Sequence, residues 1–340
     1  MEGDNCDKMI ITKTPFRISF FGGGTDYPAW YMGNGGLVIS TTIDKYCYIS
    51  CRLLPQFFDY KHRIVYSKTE TAKDINQIIH PAVRETFRFM RVKEGLEIHH
   101  DGDLPARSGL GSSSSFTVGL LNSLYALNGQ MITKHKLAKD AIYIEQEMIK
   151  ENVGSQDQVA VAYGGFNKIE FNTDSSFKVN SVIMNRQKLE NLQQHLMLFF
   201  TGFARTASVI AQEQLDKIRE QKIKKELSFM HQLAEHALSI LVDSSHIDEF
   251  GKLLHESWIL KRSMSQKISN EHIDSIYTAA IEAGALGGKI LGAGGGGFML
   301  IFAEPDKQER IRERLKDLLL VNFKFEEMGS QVVLYSPNGL

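Results

Sequence analysis

The chain has 340 residues, 43% hydrophobic and 23% charged, a globular balance that excludes a disordered, collagenous or coiled-coil protein and is long enough for two cores. Its 39 basic and 40 acidic residues leave a formal charge of −1, so no global field draws it to nucleic acid or anionic lipid. Three cysteines, Cys6, Cys47 and Cys51, cannot form a disulfide framework or complete a zinc site, and read as buried thiols of a cytoplasmic protein. Residues 9–20 (MIITKTPFRISF) predict an extended start interrupted by Pro15, then the turn cluster GGGTDYP. LVISTTI and CYISCRLL continue as strands to about residue 54. DINQIIHPAVRETFRFM has helical spacing, bent or split at Pro81, and GLEIHHD is a short strand ending at Asp101.

The loop DLPARSGLGSSSS then opens onto FTVGLLNSLYALN, apolar on nearly all sides and so a buried helix. A second helix over roughly 134–150, a glycine-containing turn, a short helix DQVAVAYG and the strand GFNKIEF follow. LMLFFTG is a strand, and residues 206–284 are almost wholly helical in spacing, with Gly251 as the expected break. GGKILGAGGGGFMLIF reads as a helix end joined to a buried strand by glycines, residues 305–320 as a charged helix, and NFKFEEM and VVLYS as closing strands. The pattern predicts two α+β domains, 9–180 and 190–335, joined somewhere in 172–195. The N-terminus (MEGDNCDK) has no signal-peptide pattern, and no apolar run approaches the roughly 18 residues of a membrane span.

Three glycine-rich segments and one acidic turn carry the chemistry. In Pro105-Ala-Arg-Ser108-Gly109-Leu110-Gly111-Ser112-Ser113-Ser114-Ser115, glycines permit close approach of the backbone to an anion, serines add donors, and the free N–H groups of the next helix point the same way. That describes a phosphate cradle without a Walker lysine, although a glycine turn with a serine cap has the same letters. Gly292-Ala-Gly294-Gly295-Gly-Gly297 satisfies G-x-G-x-x-G, but a strand rather than a helix follows it, which excludes a dinucleotide fingerprint. These glycines either let two backbones pack closely or approach a ligand phosphate. Arg17 and Asp26, flanking Gly22-Gly23-Gly24-Thr25, suit a polyhydroxylated ligand, or form simply a good turn. Glu145 and Gly154-Ser-Gln-Asp157 form the acidic turn, in which Asp157 is either a helix cap or a group that orients an attacking hydroxyl.

PFRISFFGGGTDYP, Pro105-x-x-x-Gly-Leu-Gly-Ser-Ser and KILGAGGGGF resemble, in order and spacing, the three motifs of the GHMP kinases, over residues 12 to 303. The resemblance implies an N-terminal ATP-binding domain with a left-handed β-α-β crossover, a C-terminal ferredoxin-like domain, and a site between them. It implies Asp157 as catalytic aspartate paired with Arg17, and Pro105, Ser108, Gly109, Leu110, Gly111, Ser112, Ser113 and Ser114 around ATP. Asp26, Gly23, Gly24, Thr25, Gly294 and Gly295 would line the sugar. Mg2+ would be held by Glu145, with Glu147 as fallback, and by Ser112 or Ser113, spacing favouring Ser113. Gly22-Gly23-Gly24 stands where galactokinases have Gly-Glu-His, so the stretch is most similar to the heptose 7-phosphate kinase branch and more loosely to fucokinases. The implied activity is ATP-dependent phosphorylation of an anomeric hydroxyl, in heptose 7-phosphate giving the 1,7-bisphosphate for surface-polysaccharide precursors. A fucokinase- or galactokinase-like activity and a non-catalytic sugar sensor are the alternatives; the intact acidic and serine residues favour catalysis. A phosphate carried by the sugar would need cations, for which Lys61-His62-Arg63, Arg84, Arg88, Arg91 and above all Arg205 are candidates.

Overall fold

The computed structural model describes residues 8–106, 108–202, 207–243 and 246–337. Its larger sheet has nine strands. Strands β1 (Met9–Phe21) and β2 (Gly36–Leu53) pair antiparallel along most of their length. Pro15 does not interrupt β1. The chain absorbs its missing N–H as a register shift between Pro15 and Phe16. LVISTTI and CYISCRLL are one strand, because β2 has two different neighbours along its length. Strand β5 (Leu96–Gly102) flanks Cys47–Leu53, and β6 (Phe166–Phe171) flanks Gly36–Thr41. Strands β3 (His62–Val65) and β4 (Thr69–Ala72) extend the β5 edge, β3 parallel to β5, and β7 (Phe177–Ser181) extends β6. The helices of this half are α1 (Pro28–Asn34), α2 (Pro81–Met90), α3 (Ser112–Leu127), α4 (Lys134–Tyr143), α5 (Gln156–Tyr163) and α6 (Arg186–Gln194). Pro81 takes the first position of α2, where its absent N–H costs nothing.

The second sheet runs β11 (Leu319–Leu320), β8 (Leu196–Phe200), β10 (Phe298–Phe302), β9 (Gly287–Ile290), all antiparallel. By chain order within the sheet this is 4-1-3-2, the ferredoxin-like arrangement. Helices α7 (Ala207–Arg219), α8 (Lys224–Val242), α9 (Asp248–Met264), α10 (Glu271–Glu282) and α11 (Gln308–Arg314) complete it. Gly287–Ile290 is thus a strand rather than a helix end, so the glycine run lies between two strands. The charged segment 305–320 is helical only to Arg314, and Leu319–Leu320 return to the sheet. Strands β12 (Phe325–Glu326) and β13 (Gln331–Ser336) close not on this sheet but on β2 and β1. The expected second domain, 190–335, therefore loses its tail to the first. Strand propensity says nothing of which sheet a strand will join.

Gly251 is no break: it lies within α9, where a Cβ would fall 2.4 Å from the buried Phe302 ring. Helix α9 needs a glycine there so that it can lie against β10. Gly251→Ala is expected to cost about 1–3 kcal/mol by overpacking, read as a lower urea midpoint with an unchanged slope. Part of the seam between the halves is apolar, with the Phe250 ring 5.4 Å from Phe20 and 5.0 Å from Phe21, edge-on to both. Among the described residues no helix is long and apolar enough to cross a membrane. Cys47 and Cys51 are free and buried.

Candidate active site

The alternating burial of Met9–Lys13 gives way to continuous burial from Thr14, because helices of both halves cover this end of β1. Arg17 lies in that covered stretch and is 3% exposed. Its Nε and Nη2 donate to Oδ1 and Oδ2 of Asp157, each at 2.8 Å, and its Nη1 donates to the Gly109 carbonyl at 2.7 Å. A cation this buried needs such a set of acceptors. Asp157 is not the cap of α5. Ser155 holds the cap position, and Asp157 sits in the first turn with both oxygens turned to Arg17.

Asp26 lies beneath this pair, 1% exposed. The Gly24 N–H donates to its Oδ1 at 2.9 Å and the Gln156 N–H to its Oδ2 at 3.4 Å, while the Ser155 N–H donates to its carbonyl at 2.9 Å. The two acidic turns seen in the sequence are thus one structure. Burial first, and then the charge of Asp157, push the Asp26 carboxyl above its ordinary range. The Ser19 hydroxyl donates to Gln156 Oε1 at 2.6 Å. Thr25 is spent on the turn itself: its hydroxyl donates to Gly22 O at 2.7 Å and accepts from Leu37 N at 3.1 Å. Gly23 and Gly24 line the turn, and Gln214 of α7 brings its amide nitrogen against Gly24 from the other half.

The phosphate-cradle segment forms a turn in which Ser108 Oγ donates to Pro105 O at 2.7 Å and Leu110 O accepts the Arg17 N–H at 3.0 Å. Gly111, left-handed at φ 76, starts α3. The late glycine run packs on this segment. A Cβ on Gly109 would lie 2.3 Å from Leu291 O, and one on Gly292 would lie 2.5 Å from Gly109 Cα. Close packing of two backbones is therefore what Gly292 is for. Gly294 and Gly295 abut Ile268 instead, the Gly295 N–H donating to Ile268 O at 3.0 Å.

Glu145 lies in a π-helical turn, Ile144–Met148, with no exposure, whereas Glu147 faces outward. Its Oε2 accepts from Ser114 Oγ at 3.0 Å and from Gln158 Nε2, while its Oε1 is buried with no partner. Burial, with Glu151 nearby, pushes this carboxyl up to about 8. An orphan carboxylate oxygen against a serine-rich helix start fits one protein ligand of a hard cation. No cluster of three His, Cys, Asp or Glu side chains among the described residues could hold a metal. The hydroxyl that reaches Glu145 is Ser114; Ser113, favoured by spacing, is exposed. Ser112 is half-buried beside it.

Arg205 lies outside the described residues. Of the other candidate cations, Arg63 pairs with Glu97, and Arg84 and Arg88 pair with Glu85 at 2.9 and 2.7 Å. Sequence reasoning missed Lys261 on α9 and Lys289 on β9. Lys261 Nζ donates to Gly292 O and, at 3.5 Å, to Ile290 O; Lys289 Nζ donates across the seam to Phe20 O at 2.7 Å. Lys261 had a signal: it continues the buried stripe Leu254, Trp258 at helical spacing, an odd place for an ammonium.

A family model for the GHMP kinases N terminal domain matches residues 75–165, and one for the GHMP kinases C terminal region matches residues 234–319. The chain is 30% identical over 325 residues to the D-glycero-alpha-D-manno-heptose 7-phosphate kinase of Campylobacter jejuni, covering 91% of this chain and 94% of that one. It is 25% identical to the galactokinase of Pyrococcus furiosus over 93% of this chain and 95% of that one. Its fold matches a D-glycero-D-manno-heptose 1-phosphate kinase structure from Bacteroides thetaiotaomicron with a TM-score of 0.78 at 24% identity, covering 96% of this chain and 100% of that one.

Proposed function

The chain belongs to the GHMP kinases, and from that premise we propose that it transfers a phosphoryl group from ATP to the anomeric hydroxyl of D-glycero-D-manno-heptose 7-phosphate. The observation that carries the reading is Arg17. Its guanidinium grips both oxygens of Asp157 and the Gly109 carbonyl, so one buried side chain fixes a base relative to a phosphate cradle. The choice of substrate is supported by the Campylobacter relative and by the glycine triplet Gly22–Gly24 at the sugar turn.

ATP phosphates lie on the Ser108–Ser114 segment, held by the N–H groups and hydroxyls of the α3 start. Glu145, through its unpartnered Oε1, and a hydroxyl of the α3 first turn, Ser114 by its contact with Glu145, would hold Mg2+. When bound, that ion neutralises phosphate charge. Asp26 accepts sugar hydroxyl protons and Gln156 steadies the same turn. Asp157 accepts the proton of the anomeric hydroxyl as its oxygen attacks the γ-phosphorus. The bond to the bridging oxygen breaks, and ADP leaves with the electron pair.

ADP release by the full-length protein with Mg-ATP should be compared for heptose 7-phosphate, unphosphorylated heptose, L-fucose and galactose. The highest kcat/KM is expected for heptose 7-phosphate, with a phosphorus NMR signal for a new anomeric phosphate. Higher efficiency with an unphosphorylated sugar would replace this substrate by that one. ATP binding without ADP release for any sugar would leave a sensor.

A further inference from the structure

Arg17, Lys261, Lys289, Asp26 and Asp157 meet at the seam, and only Arg17 and Asp157 among them form an ion pair. Asp157 is taken up by Arg17 through both oxygens. Lys289 is 4% exposed, and the charges acting on it are Lys261 and Arg17, both positive, so burial and these neighbours together hold its amine far below the ordinary value. Lys261 forms no salt bridge among the described residues and has only the carbonyls of Gly292 and Ile290 to bond. Burial first and then Arg17 lower it to about 8, with Asp26 the single opposing carboxylate. A half-buried ammonium held only by carbonyls has no paired counter-charge. The geometry of the seam says where that charge would come from. Gly292, whose carbonyl Lys261 holds, packs on Gly109, whose carbonyl Arg17 holds. The two cations therefore bracket one backbone contact, Arg17 from the first half and Lys261 from the second.

We infer that Lys261 is a further catalytic residue, whose ammonium contacts the oxygens of the phosphoryl group in transit on the side opposite Arg17. The inference rests on the kinase reading but not on the identity of the sugar. Lysine suits the position. Its three donors on a flexible stem can keep two carbonyls and still offer one hydrogen to an anion, where a planar guanidinium would need a fork of acceptors. Negative charge spreads over the equatorial oxygens during transfer, and a fixed cation in a water-poor seam stabilises it without reorganising. The lysine donates hydrogen bonds only, and no proton leaves it.

Lys261→Gln keeps a donor for Gly292 or Ile290 but removes the charge. It is expected to lower kcat by roughly 10- to 100-fold, below the loss of a principal oxyanion donor, with both KM values nearly unchanged. Calorimetry should show its preference for the non-hydrolysable ATP analogue AMP-PNP over ADP falling severalfold, a readout that needs no sugar. Propylammonium added to Lys261→Ala should restore kcat saturably, beyond tetraethylammonium at equal ionic strength. A lysine that merely fastens the glycine run would instead leave Lys261→Gln with wild-type kcat and wild-type AMP-PNP preference, any loss appearing in the melting temperature. That outcome overturns the assignment. If instead the AMP-PNP preference falls while no heptose 7-phosphate turnover is found in wild type, Lys261 stands and the sugar is wrong.

Discussion

Asp157→Asn is expected to lower kcat by roughly 10²–10⁴-fold, the range for loss of a general base, with ATP affinity nearly unchanged. The alternative, that Asp157 only caps α5, fails on position, because Ser155 occupies the cap and Asp157 gives both oxygens to Arg17. Asparagine matches the size of aspartate but offers Arg17 one acceptor in place of two, and a donor where an acceptor stood. The variant therefore loses stability as well as activity. Breaking a fully buried ion pair costs about 3–5 kcal/mol, and the 25% exposure of Asp157 places this pair below that range. Activity should be measured well below the variant's own melting temperature, so that fraction folded does not enter kcat. A folded Asp157→Asn protein retaining more than about a tenth of wild-type kcat would remove Asp157 from the chemistry, given the expected loss.

The legible parts of this protein were those whose physics is local. The glycine turn after Phe21 and the serine-rich helix start are written in a few consecutive residues and form the elements expected, whereas the break expected at Pro15 is absorbed as a register shift within β1. The joining of Asp157 to Arg17, 140 residues apart, was reached only through family resemblance, since nothing in either segment encodes the other. Ser113 and Ser114 mark the limit of spacing arguments. Successive residues of a helix point about 100° apart, and which of them faces Glu145 depends on how α3 packs on the π-helical turn. Strands β12 and β13 are legible as strands, but the half they join is not, because partner choice is a tertiary matter. Lys261 was passed over because a lysine among many in a helical region reads as a solvated face until its stripe is traced.

Glu145→Gln is expected to have opposite effects on stability and turnover, both large. In protein freed of divalent ions with EDTA, burial raises the Glu145 carboxyl from an ordinary 4.5 to about 8. Between those values the folded chain keeps a proton that the unfolded chain releases, so this group's contribution to stability is complete below about 4.5 and is lost as pH rises through about 8. Glutamine is uncharged throughout. The variant should therefore melt with wild type at pH about 5 and above it at pH about 8.5. The difference is on the order of a few kcal/mol, because each tenfold change in proton affinity is worth about 1.4 kcal/mol. With Mg-ATP and sugar the order reverses. An anionic ligand to the ion is gone, and loss of several kcal/mol of transition-state stabilisation means a fall in turnover of at least about 100-fold. Glu147, on the outward face of the same turn, supplies the control: Glu147→Gln should change neither the pH dependence of melting nor the Mg2+ dependence of turnover. If Glu147→Gln abolishes turnover and Glu145→Gln does not, the metal ligand lies two residues further along the turn. If Glu145→Gln melts no higher than wild type at pH about 8.5, the carboxyl is not held neutral by burial, contrary to the expectation for a group so desolvated.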